Sequence, residues 1–439
     1  DSVVEESFRS QVVHQGYVEP DAETAHAHLD GSMEVWANTQ SIYSTRSDIA
    51  VLLDIPLSDI TVNPTELGGA FGGKETMRAS GLCVALSKKA LLPVQIRFTR
   101  DEVFRATGPG NAIRSTVKIG ALKDGTITAI QARIVFDAGA FPSAPLRSAI
   151  RRVFSHYRTP NMKIDAYDVL TNKPHVAAYR APGATPTAFS LESVIDDLAR
   201  SLAVDPLEFR LQNVSQPGDP MPDGDLLTSV NFTEVLNRVK QDSCWTSPLE
   251  GENRGRGLAL GMWTMPGGIA SCHVILNGDG SVTLVLGTPD LSGTRTSLGL
   301  VAAEALGLDI SDLKVTIANT DAVAFSDASA GDRITYIASV AVGRACTNLI
   351  DAMKERVAED FRVTSDDIIY NQKHFTLNGV PEMGLTWADI ALRSVRGDGA
   401  LSFTGAASEI PDGAAIAPNA TAHVVDVEVD PETGKVDLL

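Results

Sequence analysis

The chain has 439 residues, 44% of them apolar and 21% charged, with a formal net charge of −18. That is the balance of a folded globular protein, and at ~100–200 residues per domain it predicts two to four domains. The densest basic cluster is Arg151-Arg152 and no apolar run approaches a membrane span, so a nucleic-acid groove and a membrane anchor are both excluded from the expectation.

Residues 1–23 are polar and read as an extended lead-in that carries no secretory signal. Ala25 to Leu29 alternates, Asp30-Gly31 supplies a turn, and Ser32 to Ala37 returns, which predicts a hairpin. His26 and His28 share one face of its first strand and are taken as ordinary strand residues. A short helix is expected from Ser47 to Asp54 and a strand from Ile60 to Val62. Then comes Glu66-Leu67-Gly68-Gly69-Ala70-Phe71-Gly72-Gly73-Lys74-Glu75, opening a helix-like run from Lys74 through Leu91. Glycines on both sides of one aromatic let the backbone take positive φ and approach another body closely. Amides of a following helix start would point into the same space, a place for an anion or an electronegative oxygen. Gly68 to Lys74 also satisfies the phosphate-loop spacing, but Glu75 stands where a hydroxyl should hold magnesium.

Further on, Ser115 to Phe136 is a hairpin turning at Lys123-Asp124-Gly125-Thr126, Asp137 to Phe141 is a tight bend, and Lys163 to Leu170 is a strand. His175 to Gly183 leads into a helix from Thr187 to Leu202, whose Phe189, Leu191, Val194, Ile195, Leu198 and Leu202 form an apolar stripe facing a core. Pro206, Pro217, Pro220 and Pro222 mark a loop excursion. The polar stretch Leu249 to Gly257 is taken as the boundary between domains 1–250 and 251–439.

The second domain opens on a pattern already seen. A strand at 272–276, a turn at Asp279-Gly280, a strand Ser281 to Leu286, a loop Gly287 to Gly293 and a helix Thr296 to Leu306 repeat the order of the first elements. Lys314 to Ile317 follows as a strand, Asp327 to Gly331 as a small-residue loop, and Ile334 to Phe361 as a long helix. The chain closes on a hairpin around Asp430 to Gly434. This predicts two related halves with comparable loops facing a shared cleft. The cysteines Cys83, Cys244, Cys272 and Cys346 form no C-x-x-C pair, so zinc and iron–sulfur ligation are not expected, and a reducing cytoplasm is the expected location.

Gly-Gly-x-Phe-Gly-Gly-Lys-Glu at Gly68 to Glu75 resembles the cofactor loop of the large, molybdenum-binding subunit of the xanthine dehydrogenase and aldehyde oxidase family. Glu34 to Gln40 is similar to the family's segment ending in Thr-Gln. Tyr179-Arg180-Ala181-Pro182-Gly183 resembles its arginine loop, and Asp205 to Asn213 its D-P-x-E-x-R-x-x-N run. The resemblance implies an α+β fold of two elongated mixed α/β halves holding a molybdopterin-type molybdenum cofactor. It implies catalytic roles for Arg180 and Glu75, and cofactor contacts from Gln40, Gly69, Ala70, Phe71, Gly72, Gly73, Gly183, Ser292, Gly293 and Gly331. The metal would be held by the pterin's own sulfurs, so no ligand cluster on the protein is needed. It further implies hydroxylation of an electron-poor carbon of an N-heterocycle or aldehyde, iron–sulfur and FAD groups on partner chains, and an oligomer. Asp290 to Thr294 departs from the family's Gly-Gln-Gly type, and Asp332 and Pro186 stand where a small hydroxyl residue and a glutamine are common.

The family's general base, a glutamate in a G-x-G-E stretch, does not occur in these 439 residues. The chain is therefore expected to lack parts of the large subunit at both ends and to show no turnover alone. Two other readings stay open: a scaffold or fragment of that family without bound cofactor, and a phosphate-loop nucleotide enzyme.

Overall fold

The structure is a computed structural model and describes residues 1–393, 404–409 and 418–439. The chain forms two compact units, and neither is one continuous stretch. The first comprises Asp1–Gln15, Ala106–Met265 and the described residues of Gly413–Leu439; the second comprises Gly16–Arg105 and the described residues of Pro266–Asp412.

In the first unit, Ser2–Arg9, Ile113–Ala121, Ile127–Gly139 and Met162–Leu170 lie side by side in that order. The expected lead-in is thus partly an edge strand, paired along its length from Ser2 opposite Ala121 to Arg9 opposite Arg114. Its sequence hides this because only Val4 and Phe8 turn toward the core, while the remaining residues are polar apart from the exposed Val3. The next strands alternate as predicted, burying Ile113, Val117, Ile119, Ile130 and Ile134. Helix Ala184–Ser201 lays Leu191, Val194, Ile195 and Leu198 into the same cluster. Phe189 does not join them: it is exposed and stands edge-on to Phe8 at 5.4 Å. The helix also starts three residues before the expected Thr187, because Gly183 at φ +71° bends the chain into it. A Cβ there would lie 2.9 Å from both Ala149 Cβ and Pro145 Cγ.

A charged hub lies inside this unit. Glu192, buried, accepts from Arg210 Nε at 3.1 Å, Arg210 Nη2 at 3.0 Å, Tyr157 OH at 2.9 Å and Leu260 N at 3.0 Å. The run Asp205 to Asn213 supplies Arg210, and its Asn213 donates to Gly125 O and Phe209 O and accepts from Ile127 N. The basic pair is also internal in role. Arg151 binds Asp223 and Asp225, while Arg152 lies 3.9 Å from the Trp263 ring and burial pushes it down to about 10.

The second unit contains the repeat. In its first copy the sheet order is Ile60–Pro64, Met33–Ala37, Ala22–Ala27, Val94–Arg97; in its second it is Leu313–Ile317, Val282–Leu286, Ala270–Leu276, Thr404–Glu409. Both orders have one parallel pair followed by two antiparallel ones. Helix Ile42–Leu53 crosses over in the first copy and Thr294–Leu306 in the second. Helices Ala79–Ala90 and Ile334–Phe361 follow in matching places. Helix Ile42–Leu53 begins five residues before the expected Ser47, because Ser41 caps it by accepting from Ser44 N. A three-stranded sheet (Ile368–Asn371, His374–Leu377, Val380–Thr386) and helix Trp387–Arg393 are inserted in the second copy.

Strand Thr404–Glu409 and helix Ile334–Phe361 approach closely at Gly405, where an added Cβ would stand 1.8 Å from Ala345 O. Gly405→Ala is expected to cost about 3 kcal/mol of stability by forcing the helix off the sheet, measurable as a lowered urea midpoint. Among the described residues no helix is long and apolar enough to cross a membrane.

Candidate functional site in the second unit

Because each copy contains a parallel strand pair, the carboxyl ends of its two parallel strands point the same way, and both following loops emerge together. The copies meet where the outer strand Ile60–Pro64 of the first runs beside residues 319–321, just past the outer strand Leu313–Ile317 of the second. Val62 N donates to Thr320 Oγ1 at 3.0 Å, Thr320 N to Val62 O at 3.2 Å, and Arg46 reaches Thr320 O at 3.0 Å. Tyr43 OH donates to Val323 O at 2.6 Å. In open α/β sheets, ligands bind outside the carboxyl ends of the strands where the order switches. All the expected cofactor residues except Gly183 lie on the loops that follow these strands.

Gln40 is the junction. It is 2% exposed. Its Oε1 accepts from Lys74 N at 3.1 Å and its Nε2 donates to Ser329 O at 2.6 Å, so one side-chain amide links the glycine loop to the small-residue loop of the other copy. Its backbone N donates to Lys74 O at 2.8 Å, and Ser329 N donates to its backbone O at 2.9 Å.

The glycine loop makes a tight turn, with Gly73 N donating to Ala70 O at 2.8 Å. Gly69, Phe71 and Gly72 all have positive φ, at +97°, +54° and +95°. Ala70 is buried and Phe71 exposed. The expected helix from Lys74 does not form; it begins at Ala79. The reason is sideways pairing: Lys74 N and O are both bonded to Gln40, and Thr39 Oγ1 also donates to Lys74 O. Helix-start amides are therefore displaced from the loop.

Lys74 rules out the phosphate-loop reading. Its side chain is fully buried, with Nζ 2.5 Å from Glu19 Oε2 and 4.8 Å from the centre of the Tyr17 ring. It cannot also reach a bound phosphate. Beside it, Arg78 pairs with Asp21 and with Glu23 at 3.4 Å, and Tyr17 OH donates to Asp21 Oδ2 at 2.7 Å. Sequence reading missed this network because Tyr17, Glu19 and Asp21 sit in an unpatterned polar stretch.

Glu75 is half-buried and makes no hydrogen bond or ion pair among the described residues. Burial raises its carboxyl above the ordinary 4.5, and the nearby Arg333 opposes that rise. A raised folded value means the contribution to stability is complete below the unfolded value and lost as pH rises through the folded one. Glu75→Gln should remove that loss, so its urea stability should vary less than the wild type's between about pH 4 and 7. Arg333 itself donates to Ala328 O at 2.9 Å and Gly267 O at 3.2 Å.

In the loop before helix Thr294–Leu306, Ser292 and Gly293 have φ of +61° and +80°. Asp290 caps the helix, its Oδ1 accepting from Arg295 N at 3.1 Å and Thr294 Oγ1 at 3.2 Å. The chain's own carboxylate thus takes the place an anion would have at this helix start. Arg295 Nη2 donates to Glu66 Oε1 at 2.7 Å beside a cavity of about 250 Å³. Gly331 and Asp332 are both left-handed, at φ +61° and +63°.

Arg180 and Gly183 belong to the first unit. Gln15 Nε2 donates to Ala178 O at 2.8 Å and Ala177 N to Pro109 O at 2.9 Å, fixing the segment before Arg180. Arg180 is exposed, without a hydrogen bond or ion pair among the described residues, and Ala181 follows at φ +62°. His26 and His28 have ring centres 4.2 Å apart with their planes tilted by 49°, and His28 lies 3.8 Å from Glu34.

The residues present fit a pterin-held metal group. A turn of positive φ brings main chain toward the surface with no Cβ at Gly69 and Gly72, and the buried Gln40 amide side chain stands behind it.

Comparison with known proteins agrees. Models of the molybdopterin cofactor-binding domain match residues 1–214 and 229–439. A probable xanthine dehydrogenase subunit from Bacillus subtilis is 26% identical over all of this chain and 61% of its own length. A nicotinate dehydrogenase large molybdopterin subunit of Eubacterium barkeri is 29% identical over 55% of this chain and 58% of its own. The crystal structure of quinoline 2-oxidoreductase from Pseudomonas putida 86 superimposes with a TM-score of 0.87 at 22% identity, covering 100% of this chain and 60% of that one. The chain therefore spans about three fifths of the length of these relatives. With two matching cofactor-binding domains and this fold, the chain belongs to the molybdopterin-binding subunits of the xanthine dehydrogenase and aldehyde oxidase family.

Proposed function

We propose that this chain is the cofactor-binding portion of a molybdenum hydroxylase that hydroxylates an electron-poor carbon of an N-heterocycle or aldehyde, taking the oxygen from water. The observation that carries the reading is Gln40, whose one amide ties the loops of the two repeats together behind the glycine turn. Gln40 and the main chain of Gly69 to Gly73 would hold the molybdopterin group, with Ser292, Gly293 and Gly331 on the neighbouring loops and Gly183 beside the arginine segment. When bound, that group would supply the oxidising metal that accepts the two electrons of the reaction.

This chain's own residues bind and orient. Glu75, kept protonated to higher pH by burial, would face the substrate as a hydrogen-bond donor or acceptor. Arg180 has no protein partner among the described residues to compensate it and would stabilise negative charge on the substrate. The nicotinate relative supports the heterocycle class. Domains 1–250 and 251–439 are proposed as the two cofactor-binding domains, as the two family matches support. Iron–sulfur and flavin subunits, the remainder of the large subunit, an oligomeric assembly and a cytoplasmic location complete the proposal.

The test is metal and pterin analysis of the chain purified from cells that make the cofactor, alone and with its co-expressed neighbours. Molybdenum and pterin near one per chain are expected. Their absence from the complete assembly would leave the scaffold reading in force.

A further inference from the structure

The glycine loop is gripped at both ends by one carboxylate. Glu19 Oε2 accepts from Gly68 N at 2.9 Å and from Lys74 Nζ at 2.5 Å, and Glu19 N donates to Gly68 O at 3.2 Å. Contact is so close that a Cβ on Gly68 would stand 2.5 Å from Glu19 Cβ, and one on Gly69 would stand 3.4 Å from Tyr17 Cβ. Between these ends the turn is strained, since Phe71 holds a left-handed φ of +54° that a bulky side chain adopts only when its surroundings over-determine it. Lys74 is fully buried, and Glu19 is its only ion-pair partner among the described residues. Neither residue is part of the apolar cluster under the first repeat's sheet.

We propose that Glu19 and Lys74 are a positioning pair that presets the glycine loop in its ligand-ready shape. The pair works through the loop's backbone and not by touching the ligand, and it rests on the cofactor reading above only for what the loop receives. A loop already shaped before binding loses less freedom when the ligand arrives, so the pair raises affinity without adding a contact.

The test compares Glu19→Ala, Glu19→Gln and Lys74→Met in the 439-residue chain. Amide hydrogen exchange is read for peptides covering residues 66–76 and for the strands Met33–Ala37 and Val282–Leu286, alongside binding of isolated molybdopterin. In Glu19→Ala and Lys74→Met, exchange across the loop should rise by about tenfold while the strands keep their protection. Glu19→Gln keeps an oxygen that can accept from Gly68 N but leaves the buried Lys74 ammonium without its ion pair, so it should restore at most part of that protection. Loop exchange within about twofold of wild type in Glu19→Ala and Lys74→Met, or an equal rise in the strands, would overturn the proposal. Pterin binding by the wild-type chain is a separate readout: its absence would sink the cofactor reading, while the exchange pattern alone decides the positioning pair.

Discussion

Arg210→Ala is expected to destabilise the first unit by about 3–5 kcal/mol, because it strands a buried carboxylate that the guanidinium neutralises. Arg210 is fully buried and also bonds Asp196 Oδ1 at 2.7 Å. Burial by itself would raise Glu192, but Arg210, His156 and the Leu260 amide more than offset it and hold the carboxyl below its ordinary range. A depressed folded value contributes stability that is present above the unfolded value and lost as pH falls through the folded one. Wild type should therefore weaken on acidification below about 4.5 through this group, and Arg210→Ala should already be weak at neutral pH. Urea unfolding at neutral and acidic pH measures both. A variant within about 1 kcal/mol of wild type would mean that the hub contributes little to stability.

Gln40→Ala should remove cofactor retention while leaving most of the fold. It strands Lys74 N and Ser329 O, two groups otherwise paired away from water, at about 1–3 kcal/mol each. Molybdenum and pterin content should fall by about tenfold or more, since the glycine turn and the small-residue loop are no longer held in register. Gln40→Glu is the sharper variant. It keeps an acceptor for Lys74 N but faces Ser329 O with an oxygen that cannot donate when ionised. It should lose cofactor as completely as alanine at neutral pH. Content equal to wild type in both variants would remove Gln40 from the site.

The second unit was largely legible in sequence because its signals are local. Asp30-Gly31 and Asp279-Gly280 mark hairpins, alternating runs flank them, and helix Ile334–Phe361 falls where its length and pattern put it. The candidate site residues were picked out from short motifs, most of them on the loops between those elements. What escaped were pairings between distant positions. Glu19 and Lys74 are 55 residues apart, and nothing around Glu19 distinguishes it from any other surface carboxylate. The start of helix Ala79–Ala90 was misplaced for a related reason: Lys74 has helical neighbours in sequence, but its backbone is held by Gln40. The strand Ser2–Arg9 went unseen because an edge needs few apolar residues.

The bond from Gln40 to Ser329 spans 289 positions. At ribosomal speeds of about 5–20 residues per second, the outer strand Ile60–Pro64 emerges roughly 13–52 s before Thr320, the residue it leans on 258 positions later. For that interval the strand's far edge is open to any extended segment nearby, which is the situation chaperones exist to manage. Maturation of the binding loops is thus a late event in the life of the molecule, and a cofactor supplied too early would meet only half a cradle.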